Sequence, residues 1–394
     1  MKKLALFAFV ICFVSGLCLA QPVVDQGHKE FGSLTCFELV RDMGGGWNLG
    51  NTFDATGKEG IESETSWGQP YTTKQMIDGL AASGIKTLRI PVSWHNHIIN
   101  KDTYTISPEW MERVKTVVDW AIEDGMYVII NSHHDNYEKP NIMSKAKGYY
   151  PSSENLEESQ NFLHNIWVQI ATAFNNGYDE HLIFETMNEP RPAGTSCEWW
   201  YDGDTRCIDA AACLNKMNQT ALDAIRSTGG NNEKRFVMCP PLQASLNAAA
   251  SFSFKMPKDL EEGRLIVSIH AYTPYSFAME SPGSTSFTQD HKAELDSMFS
   301  KLKSRLIARG YPVIIGEYGA TNKNNLQERI NWFEYFVKGA AKNDIPCILW
   351  DNGVWQPKKN PNGTYDYSEC YGYYNRETQT WYFPEFVQII TLRK

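Results

Sequence analysis

After its first twenty positions the chain has no run of about 18 apolar residues, so the sequence predicts no membrane-spanning helix in the body of the protein. It has no Gly/Ser-rich or Pro-rich tract that would separate two domains, and we expect a single domain. Basic residues are not in excess, because 37 Lys and Arg stand against 46 Asp and Glu and the net charge is -9. A phosphate-binding surface needs a basic stripe, so we expect no nucleic-acid partner.

The cysteines lack the paired spacing of a zinc site, so we expect no structural metal. Nine cysteines less the two within the first twenty residues leaves seven, of which at least one has no partner. Cys197, Cys207 and Cys213 lie close together in a polar stretch, where one disulfide is expected to staple a long loop in an oxidising compartment. Cys239 and Cys347 lie at the ends of apolar strands and are predicted to be buried thiols.

The first twenty residues are unlike the rest of the chain. Lysines at positions 2 and 3 precede an apolar stretch over residues 4–19, and an alanine at position 20 closes it. This pattern is typical of a signal peptide, and the stretch is too short to favour a membrane span. We therefore predict that residues 1–20 are a signal peptide, that residues 21–394 form the mature domain, and that this domain is secreted without a membrane partner.

Short apolar stretches rich in β-forming residues recur at the spacing of a barrel, and helical periodicity lies between most of them. Alternating strands and helices, with strands that are apolar throughout, predict a parallel sheet covered by helices. Eight repeats predict that the sheet closes into a single-domain α/β fold, the (β/α)8 or TIM barrel. The predicted strands are residues 43–47, 87–90, 127–131, 182–187, 235–239, 265–269, 313–316 and 347–350, and the predicted helices are residues 110–124, 163–174, 214–227, 294–309 and 326–342.

Glycines bear on the choice between a closed barrel and an open doubly wound sheet. Several predicted helices end in glycine just before the next strand, as a left-handed C-cap requires. An open sheet that binds a dinucleotide carries a Gly-rich phosphate turn after its first strand. The glycines at positions 44–46 precede Trp47 instead of opening a helix, so the barrel is the favoured fold and no cofactor is expected.

Polar residues cluster directly after six of the predicted strands. All strands of such a barrel point the same way, so these residues are expected to face one C-terminal mouth. One cluster alone is more often a capping or loop motif, but six in succession favour a common site. The clusters are residues 89–94, 131–135, 185–190, 270–272, 317–319 and 350–353.

Two carboxylates stand out in these clusters, Glu189 after the fourth strand and Glu317 after the seventh. Hydrolysis of a glycosidic bond needs such a pair: an acid that protonates the leaving oxygen, and a carboxylate that attacks the anomeric carbon or activates water. A positive Arg89 beside one carboxylate would hold down its pKa, as a nucleophile requires. Abundant aromatic residues, 13% of the chain, favour a neutral polymer because flat sugar faces stack on rings, although most rings are expected to fill the core.

The motifs at the strand ends resemble those of glycoside hydrolase family 5 (cellulase family A), and most closely its subfamily 4 of endoglucanases and xyloglucanases. Asn-Glu-Pro alone is common to many barrel glycosidases, but the whole set in order is specific. The resemblance covers essentially all of residues 21–394 and implies that they are a catalytic domain. The motifs are GWNLGNT at 46–52, RIPVSW at 89–94, NSHHD at 131–135, NEP at 188–190, HAYTP at 270–274, GEYG at 316–319 and WDNG at 350–353.

The resemblance implies a retaining endo-β-1,4-glucanase with Glu189 as acid/base and Glu317 as nucleophile, and neither a cofactor nor a metal. Retention implies that the two carboxylates stand about 5 to 5.5 Å apart. For Asn51 and His134 a structural role is equally open. The implied substrate-binding residues are Arg89 and Tyr272 beside the nucleophile, His270 beside the acid/base, Asn188 and His133 at the sugar of the cleaved bond, Trp350 as a stacking platform, and Asn51 and His134 toward more distant sugars.

Two features depart from the family pattern. Tyr318 takes a position where Phe is frequent, and the loop over residues 191–213 is longer than expected. This loop flanks Glu189, so we hypothesise that Trp199 or Trp200 stacks a sugar on the leaving-group side. The alternative is a disulfide-pinned surface loop with one buried Trp.

Rival functions are separable on the same residues. The histidines at positions 133, 134 and 270 suggest a metal-dependent hydrolase, but barrel amidohydrolases carry His-x-His after the first strand, where this chain has Asn48, Asn51 and Asp54. A carbohydrate-binding barrel that has lost catalysis is disfavoured because both glutamates are present.

The implied partner is a β-glucan polysaccharide: cellulose, mixed-linkage glucan or xyloglucan. Mannan, xylan and β-1,3-glucan stay open as alternatives. No appended carbohydrate-binding module or dockerin is recognisable, residues 356–394 are predicted to supply a final helix and a loop, and we expect a monomer.

Overall fold

The structure is a computed structural model that describes residues 29–138 and 148–391. The predicted signal peptide lies outside the described residues. Across the two described ranges, no helix is both long enough and apolar enough to span a membrane.

Eight parallel strands form a closed barrel, in which each strand pairs with its neighbours in sequence and the first pairs with the last. The closing contact aligns Gly46 with Ile348. The predicted (β/α)8 barrel is therefore confirmed, and the open sheet is excluded. The strands are β1 Gly46–Asn48, β2 Thr87–Ile90, β3 Tyr127–Asn131, β4 Leu182–Glu185, β5 Val237–Cys239, β6 Leu265–Ala271, β7 Val313–Tyr318 and β8 Cys347–Leu349.

Helices follow every barrel strand, and one more precedes β1. The α-helices are α1 Cys36–Asp42, α2 Lys74–Ala82, α3 Pro108–Glu123, α4 Leu156–Ala173, α5 Thr205–Ser227, α6 Leu246–Ala249, α7 Tyr275–Ala278, α8 Gln289–Arg305, α9 Leu326–Ala341 and α10 Pro384–Ile390. Short 3-10 helices span Ile61–Thr65, His95–His97, Gly230–Glu233, Leu242–Ala244 and Ile307–Arg309. Small antiparallel ladders pair Ile98–Asn100 with Thr105–Ile106, Lys358–Lys359 with Tyr365–Asp366, and Tyr374–Asn375 with Thr380–Trp381.

Helix α3 shows how the local sequence sets these elements. At the start of the helix the Ser107 side chain accepts from the backbone N–H of Trp110, the third helical residue. Pro108 occupies the first helical position, where its missing N–H costs nothing. Val114, Val117 and Val118 recur at helical spacing and are fully buried against the barrel. Gly125 follows the helix with φ +73°, so it ends the helix in the left-handed conformation that its sequence position predicts.

Two apolar layers pack against the strands, one outside the barrel and one inside it. The outward side chains of the strands pack under the helices in one large core. The inward side chains form a second cluster, which α1 closes at the N-terminal end of the barrel. Its members include Leu39, Val40 and Met43 from the α1 region and Ile129, Ile183, Ile266, Ile314 and Ile348 from the strands. The bottom of the barrel is therefore filled, and the polar groups of the mouth gather at its C-terminal end.

Candidate active site

Strand alternation carries polar side chains to the mouth. In β4 the inward Ile183 is followed two residues later by Glu185, and in β6 the inward Ile266 is followed by Ser268 and then His270. Successive side chains of a strand point to opposite faces, so every second residue continues the inner wall. The Ser268 hydroxyl donates to Glu185, which confirms that the two strands aim these residues into the same space.

A bulge at Gly316 turns Glu317 into the mouth. Across this step β7 advances by two residues while β6 advances by one. Strict alternation from the inward Ile314 would face Gly316 inward and Glu317 outward. The extra residue turns Glu317 inward as well, while a Cβ at Gly316 would still face Glu185 and His270. Tyr318 consequently packs outward on Phe336 of α9, with ring centroids 4.8 Å apart.

Main-chain bonds fix the segment that carries Glu189 after β4. The Asn188 N–H donates to the Ser132 carbonyl at 2.9 Å, and the Pro190 carbonyl accepts from the Gln243 N–H at 3.0 Å. The backbone is thus held on both sides of Glu189. Its side chain is 19% exposed, so it is reachable from the mouth.

The two predicted carboxylates meet beside His270. An oxygen of Glu189, an oxygen of Glu317 and a ring nitrogen of His270 all lie within 4.8 Å of one another. His270 Nδ1 is 2.7 Å from Glu189 Oε1 and 3.5 Å from Glu317 Oε2. The Tyr272 hydroxyl donates to Glu317 Oε2 at 2.9 Å, and Arg89 Nη1 donates to Glu317 Oε1 at 2.9 Å. Glu317 is thus held by two donors besides its contact with His270.

Burial and neighbouring charges shift the pKa values of Glu317, Glu189 and His270. Burial raises the pKa of Glu317, and the positive charges of His270 and Arg89 oppose that rise. Burial acts on Glu189 in the same direction, but the hydrogen bond from His270 and the positive charges of His270, Arg191 and Arg89 together outweigh it, and the pKa of Glu189 is lowered. Burial lowers the pKa of His270, yet the two glutamates outweigh it and the pKa is raised. Opposite shifts of Glu189 and His270 describe one proton held between Oε1 and Nδ1.

Asn131 sets the tautomer of His133. Its Oδ1 accepts from the Val92 N–H at 3.0 Å, so its amide nitrogen faces Glu185 Oε2 at 2.9 Å and His133 Nδ1 at 3.1 Å. An amide nitrogen only donates, and therefore His133 Nδ1 accepts while Nε2 carries the hydrogen. Burial lowers the pKa of His133 well below its usual value, so the ring is neutral.

This tautomer argues against a metal ion. One ligand atom each from Asp54, His133 and His134 lie within 4.8 Å of one another. A metal bound through His133 Nε2 would move the ring hydrogen to Nδ1, against the amide hydrogens of Asn131. His133 instead offers an N–H donor, which suits an oxygen acceptor such as a sugar hydroxyl.

The other predicted residues divide into two groups. Trp350 lies parallel to His133, with planes 2° apart and ring centroids separated by 5.9 Å, and Asn188 Oδ1 accepts from Arg89 Nη2 at 2.7 Å. These two belong to the floor of the mouth. Asn51 and His134 gather at Asp54 instead: the Asn51 backbone N–H donates to Asp54 Oδ2 at 3.1 Å, and His134 Nε2 is 3.9 Å from the same oxygen.

Comparison with known proteins identifies the family of this chain. The profile of one protein family, Cellulase (glycosyl hydrolase family 5), matches residues 53–355. The chain belongs to glycosyl hydrolase family 5. The enzyme is therefore a glycoside hydrolase, as the resemblance of its motifs implied. Its relatives include an Endoglucanase B of Ruminococcus albus, which is 41% identical over 354 residues, covering 89% of this chain and 79% of that protein.

Solved structures agree with this family and with its subfamily 4. A GH5 family lichenase from Caldicellulosiruptor sp. F32 superposes on the hydrolase with a TM-score of 0.83 at 39% identity, covering 92% of this chain and 96% of that one. A GH5-4 broad specificity endoglucanase from Ruminococcus champanellensis with bound cellotriose gives a TM-score of 0.82 at 38% identity, covering 92% and 100%.

The structure corrects the predicted loop over residues 191–213. Helix α5 of the hydrolase begins at Thr205, so Cys207 and Cys213 lie in a helix and the loop is shorter than predicted. The expected disulfide is present and joins Cys197 to Cys207. The alternative with one buried Trp is wrong, because both tryptophans of the loop are more than half exposed. The buried thiols predicted at positions 239 and 347 are confirmed.

The sequence reasoning assigned no role to several polar residues that build the site of the hydrolase. Glu185, Asn48, Asn131 and Ser268 are fully buried and bond one another or Arg89. The signal was available in β4: Ile183 faces inward, so the residue two positions later also faces inward. Reading residues 182–187 as one apolar run concealed that alternation.

Proposed function

We propose that the hydrolase is a retaining endo-β-1,4-glucanase that cleaves internal bonds of β-glucans, with Glu189 as acid/base and Glu317 as nucleophile. The observation that carries the proposal is the approach of Glu189 and Glu317 oxygens to within 4.8 Å. Retaining glycosidases hold their carboxyl groups about 5 to 5.5 Å apart, whereas inverting enzymes leave roughly 6.5 to 9.5 Å for a water molecule.

In the first step the carboxylate of Glu317 attacks the anomeric carbon, and the bond from that carbon to the leaving oxygen breaks. The proton held between Glu189 and His270 passes from Glu189 to the leaving oxygen. Arg89 and Tyr272 keep the attacking carboxylate aimed while its charge is lost to the new ester bond. The product of this step is a covalent glycosyl-enzyme and a shortened polymer.

In the second step a water molecule replaces the departed sugar. The ionised Glu189 takes a proton from that water, the water oxygen attacks the anomeric carbon, and the ester bond to Glu317 breaks. Two inversions restore the original configuration. The proton returned to Glu189 is again shared with His270, so the enzyme regains its starting state.

Sugar contacts follow from the donors and rings of the mouth. We propose that His133, through its Nε2–H, and Asn188 bond hydroxyls of the sugar whose bond is cleaved, and that Trp350 stacks on a sugar face. Asn51 and His134 lie beyond His133 around Asp54, which fits contacts with more distant sugars. We propose that the enzyme acts as a monomer, which fits a barrel whose eight strands all come from one chain.

The relatives favour a glucan over the alternatives. Those compared above are described as a lichenase and as endoglucanases, one of them with cellotriose bound. We accordingly propose cellulose, mixed-linkage glucan or xyloglucan as substrate, with mannan and xylan as the competing choices. A binding barrel without catalysis is disfavoured, because each carboxylate retains the donors that catalysis uses.

Release of reducing sugar from a panel of polysaccharides tests the proposed function. The panel is carboxymethylcellulose, xyloglucan, mixed-linkage glucan, xylan and mannan, each incubated with the enzyme and with its Glu317→Ala variant. We expect activity on at least one β-glucan and none with the variant. Activity confined to xylan or mannan would replace the substrate class, and activity that survives the substitution would refute the roles given to the carboxylates.

The exposed loop after Glu189 is proposed to extend the site on the leaving-group side. Arg191 places its guanidinium 4.1 Å from the centre of the Trp199 ring, and its Nη1 donates to the Glu189 carbonyl. Trp199 is thereby tied next to the acid/base. We expect Trp199→Ala to lower kcat/KM on cello-oligosaccharides by about 5- to 10-fold, the scale of one stacking contact, while an aryl cellobioside with no sugar in its leaving group is unaffected.

Trp200→Ala is the matched control, because Trp200 is a neighbouring exposed Trp of the same loop, 66% accessible. We expect a smaller effect from this variant. Equal losses on both substrates in Trp199→Ala would show that the ring supports the loop rather than a sugar, and no loss on either would remove the subsite.

We also propose that the hydrolase is exported, on the strength of the leader pattern in residues 1–20. Expression of the full chain in a host with a general secretory pathway is expected to release protein whose N-terminus lies near residue 21, as mass spectrometry of the purified protein would read it. Retention of the whole leader on a cytoplasmic product would contradict the proposal.

A further inference from the structure

Arg89 is fully buried and uses every one of its donors. Two of its five hydrogen bonds go to one oxygen of Glu185, from Nε at 2.9 Å and from Nη2 at 2.6 Å. The other three go to Asn188, Asn48 and Glu317, at 2.7, 2.9 and 2.9 Å. The guanidinium therefore gives more of its bonding to Glu185 than to the proposed nucleophile.

Glu185 is as deeply buried as Arg89 and is bonded on both oxygens. Oε2 accepts from Arg89 and from the Asn131 amide at 2.9 Å, and Oε1 accepts from the Ser268 hydroxyl. Gly316 keeps this space open, since a Cβ at that position would lie 3.5 Å from Glu185 Oε1 and 3.3 Å from His270 Nε2. A carboxylate without solvent contact is thus held behind Arg89 by hydrogen bonds to both of its oxygens.

One guanidinium thus faces two carboxylates. Were Arg89 paired with Glu317 alone, its whole charge would stabilise the ionised form and weaken it as a nucleophile. We propose that Glu185 is a positioning residue: it fixes the plane of the Arg89 guanidinium and offsets its charge, so that Glu317 receives an aimed hydrogen bond instead of an undivided ion pair. The inference rests on the proposed role of Glu317 and assigns Glu185 no contact with substrate.

This arrangement of charges predicts the direction in which the pKa of Glu317 changes when the charge of Glu185 is removed. The titratable and charged groups that surround Glu317 are Arg89 from β2, Glu189 after β4, His270 in β6, Tyr272 after β6 and Glu369 after β8. Removing the charge of Glu185 leaves that of Arg89 unopposed and takes away one nearby negative charge. Both changes favour the ionised form of Glu317, so its pKa falls.

Glu185→Gln removes the charge and keeps the shape. The amide oxygen is able to accept from Arg89 and Asn131, and the amide nitrogen is able to donate to the Ser268 hydroxyl. Activity at low pH requires ionised Glu317, and kcat/KM reports the free enzyme. We expect the acidic limb of kcat/KM for an aryl cellobioside to move down by about 1 pH unit in this variant.

Glu64→Gln is the matched control. Glu64 is fully buried and pairs with Arg113 at 2.8 Å through both oxygens, outside the mouth. The same loss of a buried ion pair is therefore expected to lower the unfolding temperature and to leave the acidic limb in place. An acidic limb that moves equally in both variants would overturn the inference.

Glu185→Asp separates charge from reach. It keeps the negative charge but shortens the side chain, so Arg89 is displaced; we expect an unmoved acidic limb and a kcat lowered roughly 10- to 100-fold. A limb displaced in this variant would overturn the inference, and it decides the question even if Glu185→Gln does not fold. An inactive wild type, or an active Glu317→Ala variant, would instead contradict the proposed function and is distinguishable from both results.

Discussion

Replacing Glu317 with alanine is expected to lower kcat on a β-glucan by on the order of 10^5-fold, because the covalent intermediate has no other carboxylate to form on. The loss should be similar on aryl cellobiosides, since every substrate needs the same attack on the anomeric carbon. Fold should be retained, because the side chain lies at the solvent-facing end of the barrel wall. The measurement is steady-state turnover of both substrate types, with circular dichroism to establish folding.

Azide gives the decisive readout for this variant. The space left by the missing carboxylate admits a small anion on the face that Glu317 occupied, and the expected product from a β-glycoside is an α-glycosyl azide. Glu317→Gln fills that space and is expected to be inactive without rescue. A β-glycosyl azide from Glu317→Ala would contradict the assignment, since it would place the attacking group on the other face of the sugar.

Replacing Glu189 with alanine is expected to lower kcat/KM on polysaccharide by roughly 10^2- to 10^4-fold, the usual contribution of a general acid/base. The loss should depend on the leaving group. A sugar alkoxide needs the proton that Glu189 shares with His270, whereas a 2,4-dinitrophenolate leaves without one. The variant should therefore form its glycosyl-enzyme quickly from the dinitrophenyl substrate and stall at hydrolysis.

Azide again separates the outcomes. It needs no general base, so it should release the stalled intermediate of Glu189→Ala as a β-glycosyl azide, the opposite configuration from the Glu317 variant. Glu62→Ala serves as a control. Glu62 is exposed and forms an ion pair with the exposed Lys58, so this variant should behave as wild type. Equal losses on both leaving groups would show that Glu189 does not protonate the departing oxygen.

Much of the barrel is legible in the sequence because strand and helix periods differ. β2 and β3 were predicted with their observed limits. Other limits moved for identifiable reasons. Helix α5 begins at Thr205, nine residues before the predicted 214, because the Asp204 side chain caps the backbone N–H of Cys207. Its first turns continue the buried stripe with the small side chains of Cys207, Ala210 and Ala211. Helix α6 has four residues, too few for a periodic signal to develop.

The site was predictable as far as position along a strand allows. Glu189, Arg89 and Tyr272 were identified from their places at or after the ends of strands, and contacts join all three to the same cluster. Glu185 was not given a role, because a wholly buried charge is intelligible only when its partner is known, and Arg89 lies 96 positions away in sequence. The tautomer of His133 likewise depends on its hydrogen bond with Asn131, which the spacing of residues in the sequence does not predict.

The bulge in β7 shows that the backbone register of a strand can encode a function. If the same residues alternated regularly, every side chain of the strand would still be present, yet the phenol of Tyr318 would enter the mouth and the carboxylate of Glu317 would enter the helix layer. For redesign of this barrel, residue types on the outer face of β7 are therefore open to variation, whereas the extra residue opposite the step from Ile269 to His270 is not.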